Sequence, residues 1–242
     1  ALPIYCGGIR RESNERPTRI ERTDKWTDGR SSWSKPSSFY HSTSWFEKLF
    51  PRSIPSCNFC IPGKSTGKVS IGGIGGMNNT FDEWWAHGKN VSNQRCFFGT
   101  YNSTKNFIVD GIECFLGRLG FPTEPLRLLH QKWTGLLQCH DRHIEVCTSQ
   151  GCIHVRNALR ALPPEVRQRI SVLAIAPGAY IDRKLCGGSE HYYTDNDFVA
   201  KSDPFGAYRC KGNVHLVPSH PDAPWFDHSI SSPTYSDIIQ RH

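Results

Sequence analysis

Long hydrophobic runs are missing from this 242-residue chain. None approaches the ~18 consecutive apolar residues that a bilayer-spanning helix requires. No signal-peptide pattern opens the sequence, which starts at Ala1 without Met and so reads as a processed end or a fragment. Partners are also lacking for a zinc site. Cys57-Asn58-Phe59-Cys60 is the only CxxC, with no second pair and no His pair at a matching spacing. The ten cysteines therefore read as small core residues or free thiols, with a redox or metal role left open only for Cys57 and Cys60. The chain is too long for a disulfide-rich mini-domain. Beyond residue 68 there is also little net charge. Residues 1–68 hold twelve Lys/Arg against six Asp/Glu, so +6 of the total +7 lies there. A basic nucleic-acid face on the main body is not expected. Any attraction to anionic surfaces would come from the N-terminal stretch.

That stretch is where hydrophobic period fails. Residues 1–64 are rich in Ser, Arg, Pro and Thr, and "RRESNERPTRIERTDKWTDGRSSWSKPSSF" follows neither a helical nor a strand repeat. It reads as a disordered or loosely attached arm, with at most one amphipathic turn in "WFEKLF" (45–50). The folded domain is expected over 65–242. "KVSIGGIGGMNNT" reads as a strand entering a glycine-rich loop, "FDEWWAHGKNVS" as a helix and "RCFFGTYN" as a strand. Phe107, Ile108, Ile112, Phe115, Leu116 and Leu119 recur at helical spacing. So do Leu126, Leu129, Trp133 and Leu136, behind an N-cap at Thr123 and with Pro125 in the first turn. "HIEVCT" is a strand. The next helix carries Cys152, Val155, Leu159 and Leu162 on one face and stops at Pro163-Pro164. "ISVLAIAP" has the continuous apolar character of a buried parallel strand. "SEHYYT" and "NVHLVP" are further strands, and "SPTYSDIIQRH" closes as a helix capped by Ser232 with Pro233 first. Alternating strands and helices imply an α/β fold, a mostly parallel central sheet covered on both faces. Sites in such sheets lie at the carboxyl ends of the strands.

Several motifs fail on inspection. "PGKST" (62–66) lacks the earlier glycine of a phosphate loop, since Asn58 stands there, and a strand follows it instead of a helix. "GGIGGMNN" has Asn78 where a dinucleotide loop needs its third glycine. "NNT", "NVS" and "NST" are glycosylation triplets of a kind that arises readily by chance.

"EVCTSQGCIHVRNAL" (145–159) is different. A serine sits between a strand and a helix, with Gly151 two places on. A nucleophile elbow needs small residues on both sides because strand and helix backbones nearly touch there. Position −2 is Cys147, small enough but not the usual glycine. An ordinary strand–helix turn is the alternative. A nucleophilic serine needs a base, and the base an orienting acid. In α/β-hydrolases these follow in the order Ser, Asp or Glu, His. Ser149, Asp197 and His228 meet that order, with Asp195 or Asp203 as alternative acids and His220 as the alternative base. Asp197 precedes "FVA", which is expected to pack inward and leave the carboxylate facing the site. The oxyanion would be held by the backbone N–H groups of Gln150 and of Met77, the latter in the loop after an early strand.

"SQGCIHVRNALRALPPEVRQRISVLAIAPGAYI", "HYYTDNDFVAKSD" and "HPDAPWFDHSISSPTY" closely resemble an uncharacterised protein family of chlamydiae, a domain of unknown function. "GGMNNTFDEW", "TYNST" and "TEPLRLLHQKW" fit the same pattern in order, over roughly residues 68–236. Family members often carry "SQGA" and "NGINN" where this chain has "SQGC" and "GGMNN". The resemblance implies a lipase-like fold and supplies no substrate. Together these readings describe a serine esterase acting on an ester or lipid-like acyl substrate, with no cofactor or metal required. The rival is a catalytically degenerate hydrolase fold serving as a binding module or secreted effector.

Overall fold

A computed structural model describes residues 55–64, 67–77, 79–103 and 123–241. The chain divides into two units, Ala1–Arg52 and Ser53–His242. All described residues lie in the second. The turn expected over 45–50 and the helical spacing from Phe107 to Leu119 lie outside them.

Seven strands form one sheet: β1 (Cys57–Ile61), β2 (Val69–Ile74), β3 (Phe97–Tyr101), β4 (Arg142–Ser149), β5 (Ile170–Pro177), β6 (Gly188–Thr194) and β7 (Val214–Val217), in the order β1-β3-β2-β4-β5-β6-β7. Only β1 runs antiparallel, against β3. Helix α1 (Phe81–Ser92) follows β2, and α2 (Glu124–Cys139) precedes β4. Helix α3 (Gln150–Arg160) and the short α4 (Pro164–Arg167) join β4 to β5. The short α5 (Phe198–Lys201) and α6 (Pro204–Arg209) join β6 to β7, and α7 (Pro233–Arg241) ends the unit.

The central strands are largely buried because both faces are covered, and β5 is almost wholly apolar. Successive side chains of a strand point to opposite faces. Val146, Leu173 and Ile175 enter one core with Phe81 and Trp84 of α1 and with Tyr235 and Ile238 of α7. Their neighbours Cys147, Val172 and Ala174 enter the other, with Leu129 and Trp133 of α2 and with Val155 and Leu159 of α3. This is an α/β-hydrolase-like fold, a mostly parallel sheet between two helical layers. Among the described residues no helix is long and apolar enough to cross a membrane.

Local chemistry explains the helix ends. Thr80 and Glu83 exchange hydrogen bonds in a capping box that starts α1. Thr123 stands at the N-cap of α2 without a side-chain cap bond. Its hydroxyl bonds His154 Nδ1 (3.1 Å) instead.

Composition misplaces one element. Cys57–Ile61 falls in the stretch assigned to the arm, yet it is the edge strand β1. Five residues flanked by Pro, Ser and Lys are too short to raise a period above their surroundings. Phe59, 1% exposed, is the anchor and packs against Phe81, Trp85 and Phe97. In a strand, residues three apart face opposite sides, so Cys57 and Cys60 diverge. Burial lifts their thiols to about 11 and about 12, against thiolate formation. A chain beginning at Ser53 is expected to unfold cooperatively, with a melting temperature near that of the whole protein. A chain beginning at Ser65 loses Phe59 and Ile61, each worth ~1.5–3 kcal/mol of burial, together with the β1–β3 ladder. Calorimetry should find it molten or unfolded.

Two of the three buried histidines among the described residues, His154 and His191, contribute to acid sensitivity. Burial lowers His154 and His191 to about 4. His191 is held neutral by its partners: Nε2 accepts the N–H of Ile181 (2.9 Å) while Nδ1–H donates to the Asn213 carbonyl (3.1 Å). In the unfolded chain both titrate near 6.5. Between those values the unfolded state binds more protons. Their stabilisation is therefore complete above about pH 6.5 and is lost as pH falls towards 4. Denaturant midpoints should drop from pH 7 to pH 5, and His191→Gln should flatten that slope.

Candidate active site

β4 runs into α3 with no intervening residue. Ser149 takes up the whole change of direction, at φ 51° and ψ −127°, a conformation strained for a residue with a Cβ. The strain is held by contacts on several sides. A Cβ on Gly151 would lie 2.6 Å from the Ile74 carbonyl oxygen, so the first turn of α3 reaches β2 only as glycine. A Cβ on Gly76 would lie 2.5 Å from that of Ser149, so the loop after β2 passes directly over the serine. The Ser149 carbonyl accepts the N–H of Gly178 (2.9 Å), which ties the elbow to the end of β5. Cys147, two places before the serine, is fully buried beside Cys152. Burial drives its thiol well above the usual value, which leaves it a neutral core residue.

Residues far apart in sequence converge on Ser149. Its Oγ lies 2.9 Å from His228 Nε2, and His228 Nδ1 lies 2.8 Å from Asp197 Oδ1. The serine ends β4, the acid follows β6 and the histidine follows β7, all at the carboxyl edge of the sheet. Asp197 is fully buried, whereas the His228 side chain is 13% exposed, so the imidazole borders solvent while its acid does not. Asp197 Oδ1 also accepts the Ala200 N–H (3.0 Å), capping α5. Gln150 begins α3 and its side-chain oxygen accepts from Asn102 Nδ2 (2.7 Å). Met77, half-buried, directly follows Gly76.

The alternative groups stand elsewhere. Asp195 is exposed and paired with Lys201. Asp203 caps α6 through the Gly206 N–H and faces Arg156. His220 is exposed; its Nδ1 accepts the N–H of Asp222. The expectation that "FVA" packs inward fails at its first residue. Ala200 is buried, but Phe198 is 59% exposed. Asp197 starts a helix, and a helix turns its first residue to a different side from its third, whereas a simple apolar step would not.

Sequence reasoning overlooked the supports. Asp227 is fully buried: its Oδ2 accepts from Thr234 Oγ1, and its carbonyl accepts from Thr194 and Tyr235. It thereby fixes the backbone next to His228. Asn102, which steers Gln150, lies in a glycosylation triplet with no periodic signal.

A second Ser–His–carboxylate array lies near the other end of the sheet. Ser70 Oγ is 2.9 Å from His143 Nδ1, and His143 Nε2 is 2.8 Å from Glu145 Oε2. Lys132 Nζ and Trp133 Nε1 donate to the same carboxylate. Ser70 is 2% exposed and His143, Glu145 and Lys132 are fully buried, so no substrate reaches it. Burial separates a structural array from an accessible one of similar chemistry.

No family model matches the chain, and no curated protein does. Several solved structures are similar at low identity. The structure of YahD with malic acid shares 12% identity at TM-score 0.49, over 77% of this chain and 97% of that one. Esterase PE8 shares 12% at TM-score 0.48, over 78% and 98%. The carboxylesterase of Bacillus cereus shares 10% at TM-score 0.45, over 81% and 96%.

Proposed function

We propose that the chain is a serine hydrolase that cleaves esters through Ser149, His228 and Asp197. The carrying observation is the continuous hydrogen-bond relay from Ser149 Oγ through the imidazole to Asp197, set on a strained elbow. Asp197 accepts the Nδ1–H and so presents Nε2 as an acceptor to the serine. His228 removes the Ser149 proton as Oγ attacks the ester carbonyl. The resulting oxyanion is held by backbone N–H groups, that of Gln150 at the start of α3 and that of Met77 after Gly76. His228 then gives the proton to the departing alcohol, and water repeats the cycle on the acyl-enzyme. No step calls for a metal or cofactor.

The chlamydial resemblance enters this proposal only as a reading of lineage and gives no substrate. The basic N-terminal stretch is the part we assign to anionic surfaces. Salt-sensitive vesicle binding that survives deletion of residues 1–52 would contradict that role. The central test is labelling with a fluorophosphonate probe. Mass spectrometry should locate the adduct on Ser149, and an unlabelled, folded protein overturns the proposal in favour of a degenerate binding module.

A further inference from the structure

Three of the five exposed Phe, Tyr and Trp side chains among the described residues form one group at the candidate site. Trp225 is 77% exposed, Phe198 59% and Phe226 38%. Their ring centroids lie 6.1–6.3 Å apart, and Phe198 stacks on Phe226 with 13° between planes. Phe226 in turn stacks on the His228 imidazole, 5.4 Å and 20°. The group thus starts one ring away from the nitrogen that faces Ser149 Oγ.

The fold holds these rings out. Phe198 opens α5 directly after Asp197, and Trp225–Phe226 directly precede Asp227, which is pinned by Thr234, Thr194 and Tyr235. The residues that fix the relay therefore also fix the shelf. Contiguous exposed aromatics are costly in water and mark binding surfaces.

We infer that Phe198, Trp225 and Phe226 form an apolar subsite for the alcohol portion of the ester, selecting substrates whose leaving group is an uncharged alkyl or aryl alcohol. The inference rests on the hydrolase reading of Ser149 and His228. The side of the substrate follows from proton transfer. His228 must deliver its proton to the leaving oxygen, so a ring stacked on this imidazole adjoins the alcohol. The kind of occupant follows from charge. Exposed Asp195 and Asp222 stand three residues before Phe198 and Trp225, and the nearby Lys201 is paired with Asp195. A rim carrying carboxylates disfavours an anionic bilayer and suits a single neutral molecule.

The test compares ethyl acetate, hexyl acetate and ethyl hexanoate on the whole protein. Wild type should favour hexyl over ethyl acetate by about tenfold or more in kcat/KM, mostly through KM. Phe198→Ala/Trp225→Ala should cut that preference at least fivefold, and Trp225→Phe should restore most of it. The hexanoate-to-acetate ratio should not move. A preference that tracks the acyl chain, or one indifferent to both substitutions, overturns the subsite. Calorimetric binding of hexan-1-ol provides a readout independent of turnover: affinity should be lost in the double variant and kept in Ser149→Ala. If hexan-1-ol binds but Ser149 takes no fluorophosphonate, the subsite stands and the hydrolase reading falls. If Ser149 is labelled while hexan-1-ol fails to bind, the reverse holds. Sedimentation with phosphatidylcholine vesicles that depends on these rings, without hexan-1-ol binding, assigns the surface to lipid instead.

Discussion

Ester turnover by the Ser149→Ala protein is expected to fall on the order of 10⁶-fold, with fluorophosphonate labelling abolished. Its melting temperature should stay close to wild type. Alanine keeps the Cβ that makes φ 51°, ψ −127° unfavourable, so the strain is retained and no large side chain is lost. Glycine separates the two effects. Ser149→Gly should be equally inactive but more stable, because the ~1–3 kcal/mol of backbone strain is relieved. His228→Ala should match Ser149→Ala in turnover, while His220→Ala, outside the relay, should be mild. Asp197→Asn should cost ~10⁴-fold, because an amide facing Nδ1 favours the wrong tautomer. Asp195→Asn and Asp203→Asn should cost far less. Asp203→Asn has its effect on the cap of α6 and on Arg156, and so on melting temperature. Persistent turnover in Ser149→Ala, measured on protein free of contaminating esterase, removes Ser149 from the chemistry.

What was legible in the sequence followed period and chain order. Among the described residues, the strands and helices with clear repeats stand where the pattern put them, and Ser149 sits at the junction that bracketing elements implied. Asp197 and His228 were reachable because the topology returns each crossover to the same edge of the sheet. Three kinds of feature were not. β1 is anchored chiefly by Phe59 and is too short to show a period. The direction of Phe198 depends on Asp197 capping a helix, which the hydrophobicity of "FVA" does not encode. The buried Lys132 lies among polar residues of "HQKWTG", where a lysine ordinarily marks the solvent face. Only its partner on a neighbouring strand reveals otherwise.

That partner gives the largest expected effect on stability. Glu145 is fully buried on β4 and accepts from Lys132 Nζ (2.9 Å), Trp133 Nε1 (2.8 Å) and His143 Nε2 (2.8 Å). Burial alone would raise its carboxyl, but Lys132 and His143 outweigh that and hold it below the usual range. Burial lowers both Lys132 and His143, with Glu145 opposing. The consistent assignment is one ion pair, Lys132 with Glu145, and a neutral His143. The imidazole donates from Nε2 to Glu145 and accepts at Nδ1 from the Ser70 hydroxyl. Removing one charge leaves the other buried and uncompensated, which typically costs 3–5 kcal/mol. Against a total of ~5–15 kcal/mol for a domain, that is a large share. Glu145→Gln should therefore sharply lower the denaturant midpoint, as should Lys132→Met. The double variant Lys132→Met/Glu145→Gln should be more stable than the sum of the two losses implies, since no lone charge remains while the glutamine oxygen still accepts from Trp133 and His143. Strict additivity in that cycle would mean that the pair is not coupled. Because the network lies towards the end of the sheet away from Ser149, the folded fraction of each variant should keep wild-type labelling kinetics, separating loss of stability from loss of chemistry.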